Sequence, residues 1–131
     1  MKIIACVDEN LGLMFHHRRQ SQDRIVRERI KTITKKLYMN QYSYQLYQDL
    51  FDEAIVDEKF MDIAKDNDYC LIENVSIDCK DIDEVILFYW NREYPADFYL
   101  NVDLNQFVIV SQEEFTGSSH DLITQVIYRK E

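Results

Sequence analysis

The residues best suited to chemistry in this sequence are two adjacent arginines, Arg18 and Arg19, which stand just before a predicted helix. The exposed amides at a helix start attract anions, and two guanidinium groups beside them strengthen that attraction. Two charge-assisted hydrogen bonds and the helix dipole supply roughly 3–7 kcal/mol before the costs of association, whereas micromolar binding needs about 8 kcal/mol. We therefore expect Met14 and Phe15 to add an apolar wall, and the ligand to be a small anion with a flat organic part.

The predicted ligand site lies in the cleft beside the loop that follows the first strand. Its candidate ligand-binding residues in that loop are Gly12, Phe15, Arg18 and Arg19. Trp90 is included because it stands at the end of a predicted strand. None of these residues belongs to a motif that is specific to one ligand, so the sequence leaves the identity of the ligand open.

A strongly basic segment suggests an alternative function. Residues 18–36 contain eight Lys and Arg against two Asp and Glu, so their net charge is 8 − 2 = +6, and −9 − 6 = −15 remains on the rest of the chain. Four basic side chains share a solvent-facing stripe at helical spacing, namely Arg24, Arg27, Lys31 and Lys35. The stripe is either an ordinary solvated face or the surface of a protein–protein interaction module or homo-oligomer, which would dock an acidic partner or a second copy on the basic helix 21–36.

The composition limits the class of protein. Two glycines and one proline in 131 residues exclude flexible linkers, a G-x-G-x-x-G dinucleotide loop and a Walker A loop, so no cofactor is predicted. The net charge of −9 makes a nucleic-acid partner unexpected. Cys6, Cys70 and Cys79 form no C-x-x-C pair, and neither a signal peptide nor a run of ~18 apolar residues is present. We expect a cytoplasmic protein that does not enter a membrane.

The apolar patterning predicts one α/β domain over residues 1–131. Lys2 to Val7 is a continuous apolar run, which is typical of a buried central strand, and the first helix begins after Ser21 and ends with Lys36 in its last turn. The β, α, β, α rhythm of the first half predicts parallel strands with crossover helices. Further strands are predicted at 37–39, 54–56, 69–73, 84–90, 98–102, 107–111 and 122–128, and further helices are predicted to be capped by Ser43 and Asp57.

Two groups of polar residues match chemical motifs by residue type alone. His16 and His17 are metal-ligand types, but neighbouring side chains in extended backbone point in opposite directions, so no metal site is predicted. The segment 118–121, Ser-Ser-His-Asp, contains the residue types of a hydrolase triad. Triads are built from separated segments, and the chain has no G-x-S-x-G motif, so we predict a turn at Gly117 with local hydrogen bonds from the serines.

Both ends of the chain resemble dihydrofolate reductase. In that family a buried strand of the I-x-A-x-D type leads through a loop with a single glycine to an acidic residue at a helix start. Here the segment 4–8, Ile-Ala-Cys-Val-Asp, is followed by Gly12 and then by Asp23. The segment 96–103, Ala-Asp-Phe-Tyr-Leu-Asn-Val-Asp, is similar to a late segment of the family, and the last strand, which ends at 127–129, matches the family's closing strand.

The resemblance implies a three-layer α/β domain with a mixed, mostly parallel central sheet of the dihydrofolate reductase type. It also makes Asp23 a candidate catalytic carboxylate that handles protons, so a weak acid–base enzyme is a third possible function; alternatively, Asp23 is an acid favoured by the helix dipole. The family's Trp-x-Leu-Pro is replaced by Arg-Arg-Gln-Ser at 18–21, and its cofactor-binding glycine pair has no counterpart around 84–90. Reductase activity is therefore not predicted.

The whole chain also resembles a group of short bacterial proteins, some of which carry the name ribonuclease Z. A zinc-dependent nuclease of that type needs an H-x-H-x-D-H cluster and further histidines. This chain has three histidines in all. We therefore expect no nuclease activity.

Overall fold

The computed structural model describes residues 1–78 and 81–131, so Cys79 lies outside the described residues. The helices are α1 (Arg24–Ile33), α2 (Gln41–Tyr47) and α3 (Phe60–Ile63), and one turn of 3₁₀ helix spans Leu104–Gln106. The strands are β1 (Lys2–Val7), β2 (Gly12–Phe15), β3 (Arg18–Arg19), β4 (Lys36–Met39), β5 (Glu53–Val56), β6 (Tyr69–Leu71), β7 (Glu84–Tyr89), β8 (Phe98–Tyr99), β9 (Phe107–Phe115) and β10 (Ile123–Lys130).

A seven-stranded sheet forms the centre of the molecule, in the order β5-β4-β6-β1-β7-β10-β9. The first five strands of that order are parallel, because β4 pairs with β5 and β6, and β1 pairs with β6 and β7, all in the same direction. Strand β10 is antiparallel to both β7 and β9. The predicted mixed, mostly parallel sheet is therefore confirmed.

The central strand is buried on both faces, as its continuous apolar run predicts. Ile3 and Ile4 are both fully buried although they point to opposite faces of the sheet. Ile4 packs with the buried face of α1, whereas Ile3 packs with Phe60 of α3 and with Leu13 of β2. Helices or the small β2 sheet thus cover both faces, which gives the three layers that the resemblance implies.

Helix α1 is shorter at both ends than the sequence predicts. Its N-cap is Asp23 and not Ser21, because the Asp23 carboxylate accepts hydrogen bonds from the first backbone N–H groups of the helix. The helix ends at Ile33, and Thr34 is extended, because Lys36 already belongs to β4. Of the predicted basic stripe, Arg24 pairs with Glu28 one turn along the helix, and both are largely exposed.

The next two helices also differ from prediction. Asn40 caps α2 through its side-chain oxygen, which accepts from the Ser43 backbone N–H, so Ser43 lies inside the helix. Asp57 does not cap α3, because the N-cap position is held by Lys59, which makes no side-chain capping bond. Helix α3 is a single turn that ends at Ile63, because Ala64 is extended. In the described part of the chain, no helix is long and apolar enough to cross a membrane.

A small second sheet, β3-β2-β8, covers one end of the molecule. His16 and His17 form the two-residue turn between β2 and β3, and both have positive φ angles, 50° and 62°. The extended backbone predicted at these histidines is therefore wrong. Two positive φ angles match the tight hairpin turn that normally favours Asn-Gly.

Candidate functional site

Asp23 lies at the centre of a buried hydrogen-bond network that joins the two ends of the chain. Its Oδ1 accepts from the backbone N–H groups of Ile25 and Ser118, both at 2.9 Å. Its Oδ2 accepts from the backbone N–H of Ser119 at 2.9 Å and lies 2.9 Å from Nδ1 of His120. The Asp23 carboxylate therefore caps α1 and also anchors the segment that leads into β10.

Gly117 makes this close approach possible. A Cβ atom at position 117 would collide with the carboxylate of Asp23 and with the side chain of Ile123. The backbone of Gly117 does not have a positive φ angle, so the glycine is needed for space and not for an unusual conformation.

The hydrogen bonds hold Asp23 in its ionised form. Burial alone would raise the pKa of this carboxyl, but the backbone N–H of Ser119, the His120 ring and the backbone N–H groups of Ser118 and Val26 lower the pKa of Asp23 well below its ordinary value. A carboxylate this acidic is a poor carrier of protons at neutral pH. It is well suited to holding a neighbouring group in one orientation.

His120 is the group that Asp23 orients. Its Nδ1 faces Asp23, and its Nε2 lies 2.8 Å from the Oγ of Ser21. Its ring stacks on the indole of Trp90, with 4.5 Å between the ring centroids and 23° between the planes. Only 4% of the His120 side chain is exposed. Ser21, His120 and Asp23 thus form a continuous line of hydrogen bonds.

The segment that contains His120 stands out in the sequence by its residue types, but the partners of the histidine do not. Its neighbour Asp121, which completes a triad by residue type alone, is exposed. The partner carboxylate is instead Asp23, 97 positions away. One sequence signal points to this pairing: Asp23 and the segment 118–121 are both polar and both lie next to the end of a predicted helix or strand. That signal does not specify which of these polar groups are in contact.

The side chains of Arg18 and Arg19 have different surroundings and do not form one anion-binding pair. Arg19 donates two hydrogen bonds to Glu73, at 2.9 and 3.0 Å, and its guanidinium lies 4.6 Å from the ring centre of Tyr42. Burial disfavours its charge, but Glu73 raises the pKa of Arg19 above its ordinary value. Arg18 is exposed, and it forms no ion pair within residues 1–78 and 81–131. Glu73 has therefore neutralised one of the two predicted anion-binding groups.

Two small cavities lie beside Ser21 and Trp90. Arg19 lines the first and Asp23 lines the second, and Cys6 and Tyr47 contribute to both. Each has a volume of about 10 Å³, which is room for one water molecule. The structure therefore brings Arg19, Asp23 and Trp90 to adjoining cavities that are too small for an organic ligand.

Cys6 and Tyr47 contribute uncharged side chains to the walls of these cavities. Burial raises the pKa of the Cys6 thiol and that of the Tyr47 hydroxyl well above their ordinary values, so both stay protonated. Within the described residues, no group of three or more His, Cys, Asp or Glu side chains could hold a metal ion.

Gly12 and Phe15 lie apart from these cavities. The backbone N–H of Gly12 donates to Asp8 at 2.8 Å, and a Cβ atom at position 12 would come within 2.8 Å of the same carboxylate. Phe15 is on the surface, where it stacks on His16 with 3.8 Å between the ring centroids. Gly12 therefore serves the packing of Asp8, and Phe15 belongs to the outer surface of the β2–β3 hairpin.

A larger cavity, here called the hairpin cavity, opens between the β2–β3 hairpin and the carboxyl end of β6. Its volume is about 480 Å³, and its lining residues are Met14, His17, Asn74, Asp97 and Phe98. Asn74 is held in place by Asn40, whose amide donates to Oδ1 of Asn74 at 2.8 Å. Asp97 accepts from the backbone N–H of His16 at 3.1 Å. The cavity therefore combines an apolar wall with oriented polar groups.

The sheet order and the layers identify the chain as an α/β protein with the dihydrofolate reductase fold. The solved structure of dihydrofolate reductase from Enterococcus faecalis, in complex with NADP(H) and RAB-propyl, matches it with a TM-score of 0.69 at 10% sequence identity. The match covers 100% of this chain and 96% of the reductase. At this identity the similarity shows the fold alone. No protein-family model and no curated protein sequence matches the chain.

Proposed function

We propose that this protein binds a small organic ligand in the hairpin cavity. The observation that carries this proposal is the cavity itself, because about 480 Å³ falls within the ~300–1,000 Å³ typical of small-molecule sites. Its position also supports the proposal. Asn74 follows β6, whose neighbours in the sheet are parallel, and ligands of open α/β sheets bind beyond the carboxyl ends of such strands.

The lining residues favour a flat ring with both hydrogen-bond donors and acceptors. Met14 and Phe98 lie opposite each other in the β2–β8 ladder and supply an apolar wall. Because Oδ1 of Asn74 already accepts from Asn40, its Nδ2 is the atom available to donate to a ligand. Asp97 offers a carboxylate that accepts from a ring N–H.

Arg18 favours a ligand that carries an anionic group. It directly follows His17, which lines the hairpin cavity, and it is exposed. One charge-assisted hydrogen bond supplies roughly 1.5–3 kcal/mol, and burial of about 150 Å² of apolar ring surface supplies about 4 kcal/mol. A hydrogen bond to the Asp97 carboxylate adds roughly 1.5–3 kcal/mol and one from the Asn74 amide adds about 1 kcal/mol, so the contributions sum to roughly 8–11 kcal/mol. Association costs of about 4 kcal/mol leave roughly 4–7 kcal/mol, which corresponds to a Kd between about 10 μM and 1 mM.

Calorimetric titration of the whole chain with nucleotides, pterins and folates tests this proposal, and NADP(H) belongs in the set because the similar reductase was solved with it. Asn74→Asp keeps the acceptor for Asn40 and removes the amide donor, so we expect it to weaken binding about tenfold, which is about 1.4 kcal/mol. The matched control is Asn105→Asp on the exposed surface, which should leave the Kd unchanged.

A second pair of variants tests the charged group. Arg18→Ala should weaken the binding of anionic members of the set by about tenfold, and Arg24→Ala, which removes the same charge from the exposed face of α1, should not. Binding as strong as that of the wild-type chain in both Asn74→Asp and Arg18→Ala would contradict the assignment of the site. If no compound of the set binds below about 1 mM, the expected affinity is wrong.

A further inference from the structure

A second site, separate from the hairpin cavity, carries an inference of its own. The Oγ of Ser21 lies 2.8 Å from Nε2 of His120, and Nδ1 of the same ring lies 2.9 Å from Oδ2 of Asp23. Both distances are those of good hydrogen bonds, and this order of groups is the one by which a carboxylate and an imidazole activate a serine hydroxyl. We propose that Ser21 is a nucleophile for acyl transfer, with His120 as its general base.

The ionised state of Asp23 determines the tautomer of His120. Asp23 is held as a carboxylate by backbone N–H groups, so its Oδ2 accepts a hydrogen bond from the imidazole and Nδ1 must be the nitrogen that carries the proton. Nε2 is then an acceptor, and the Ser21 hydroxyl donates to it. This is the direction of hydrogen bonding that general-base catalysis needs.

Packing holds the imidazole in this orientation. The ring stacks on Trp90 on one face, and the segment that carries it is fixed to Asp23 by the backbone N–H groups of Ser118 and Ser119. Ser21, in contrast, is only half-buried and lines both small cavities, so we expect a reagent to reach its hydroxyl. A buried base beside an accessible hydroxyl is the arrangement expected of a nucleophile, whereas a purely structural bond would need no access.

The backbone next to Ser21 offers donors for a developing oxyanion. In the described part of the chain, the N–H groups of Gln22 and Asp23 donate no hydrogen bond. In hydrolases with a serine nucleophile, the N–H of the residue after the serine commonly binds the oxyanion. Gln22 occupies that position here.

The cavities beside Ser21 limit the acyl group. They have a volume of about 10 Å³ each and are lined by Trp90 and Tyr47, so they accept a methyl group but not a longer chain. The substrate class is therefore an acetyl ester or thioester, or a similarly short acyl compound, whose leaving group stays in solvent.

The reaction balances without a redox partner. The Ser21 Oγ attacks the acyl carbon while its proton moves to Nε2 of His120, and the bond to the leaving group then breaks as that group takes the proton. Water repeats the two steps on the acetylated serine. The products are the free acid, the protonated leaving group and the original hydroxyl.

The test uses the whole chain with p-nitrophenyl acetate and with a fluorophosphonate reagent. We expect an acetyl group on Ser21 when the reaction is quenched early, and one fluorophosphonate adduct on the same residue by peptide mass spectrometry. Ser21→Ala should lower the rate of p-nitrophenolate release by about 100-fold or more. Ser111→Ala, which removes an exposed serine from β9, should leave that rate unchanged.

Two further measurements separate a nucleophile from a structural hydroxyl. Ser21→Cys should recover covalent acetylation at position 21, and p-nitrophenyl hexanoate should react at least tenfold more slowly than the acetate. A wild-type rate in a folded Ser21→Ala chain, or adducts on residues other than Ser21, would overturn the proposal. Equal rates for hexanoate and acetate would overturn the short-acyl specificity.

Discussion

At the scale of single residues, the most consequential group is the buried carboxylate of Asp23. It caps a helix, fixes the segment before β10 and orients His120, so one side chain links residues 97 positions apart. Its bonds come mostly from backbone N–H groups, which lose a charged acceptor if the carboxylate is replaced. The side chain therefore matters for stability as well as for chemistry.

We predict that Asp23→Asn destabilises the protein by about 3–5 kcal/mol, because the new amide brings donors to a place already surrounded by donors. Urea unfolding at neutral pH measures this change. The matched control is Asp49→Asn on the exposed surface, for which the free energy of unfolding should change by less than about 0.5 kcal/mol. Equal effects of the two substitutions would contradict the role of the network.

The same residue gives a pH dependence with a definite sign. The pKa of Asp23 is lowered in the folded state, so between that pKa and the unfolded value of about 3.9 the unfolded chain binds more protons. The contribution of Asp23 is complete above about pH 4–5 and is lost as the pH falls further. In Asp23→Asn, this part of the acid-induced loss of stability should be absent.

At the scale of elements, the β2–β3 hairpin contains a strained turn. Its turn consists of two histidines with positive φ angles, a conformation that costs most residues about 1 kcal/mol each. The hairpin nevertheless supplies Met14 and His17 to the hairpin cavity, and it carries Arg19 to Glu73. An element with strained turn residues next to a cavity is consistent with selection for something other than stability.

We predict that the double substitution His16→Asn, His17→Gly stabilises the protein by about 1 kcal/mol, because Asn-Gly adopts this turn without strain. Thermal unfolding of the whole chain measures the effect. The control is His16→Ala, His17→Ala, which removes both imidazoles but keeps both Cβ atoms and should give no gain. A gain in the control alone would show that the rings, and not the backbone, carry the cost.

Sequence patterns predicted the elements better than the site. The apolar run of β1 and the spacing of Val26 and Ile30 in α1 report burial directly, so the sheet and the first helix were predictable. The contact between Asp23 and His120 was not, because local patterns contain no information about which distant polar groups meet. The same reason explains why Arg19 was predicted as an anion ligand, although Glu73 already satisfies it.

At the scale of the whole molecule, the stability is concentrated in the middle of the sheet. Strands β1 and β7 are almost completely buried and are paired on both sides. Strand β9 lies at one edge and is largely exposed, including the side chains of Val108, Ile109 and Val110. We therefore expect the edge strand β9 to separate from the sheet more readily than the middle strands β1 and β7.

We predict that backbone amides of β1 and β7 exchange with solvent only through global unfolding, whereas those of β9 that face away from β10 exchange faster. Hydrogen exchange followed by mass spectrometry at increasing urea concentrations measures this order. Exchange in β1 that is as fast as in β9 at low urea would contradict it. Acid should raise exchange first around Asp23 and the segment 117–121, because those residues lose their shared carboxylate.

The two glycines of the chain have a consequence for how this sequence can diverge. Each one stands against a buried aspartate, Gly12 against Asp8 and Gly117 against Asp23, and neither has a positive φ angle. A larger residue at either position requires the loss of the facing carboxylate and also a shift of the other close neighbours, which are Gln20 and Ala96 at Gly12 and Ile123 at Gly117. Among diverged relatives, each glycine and its aspartate should therefore be kept together or replaced together, and a relative that keeps the second pair together with Ser21 and His120 keeps the complete hydrogen-bond line.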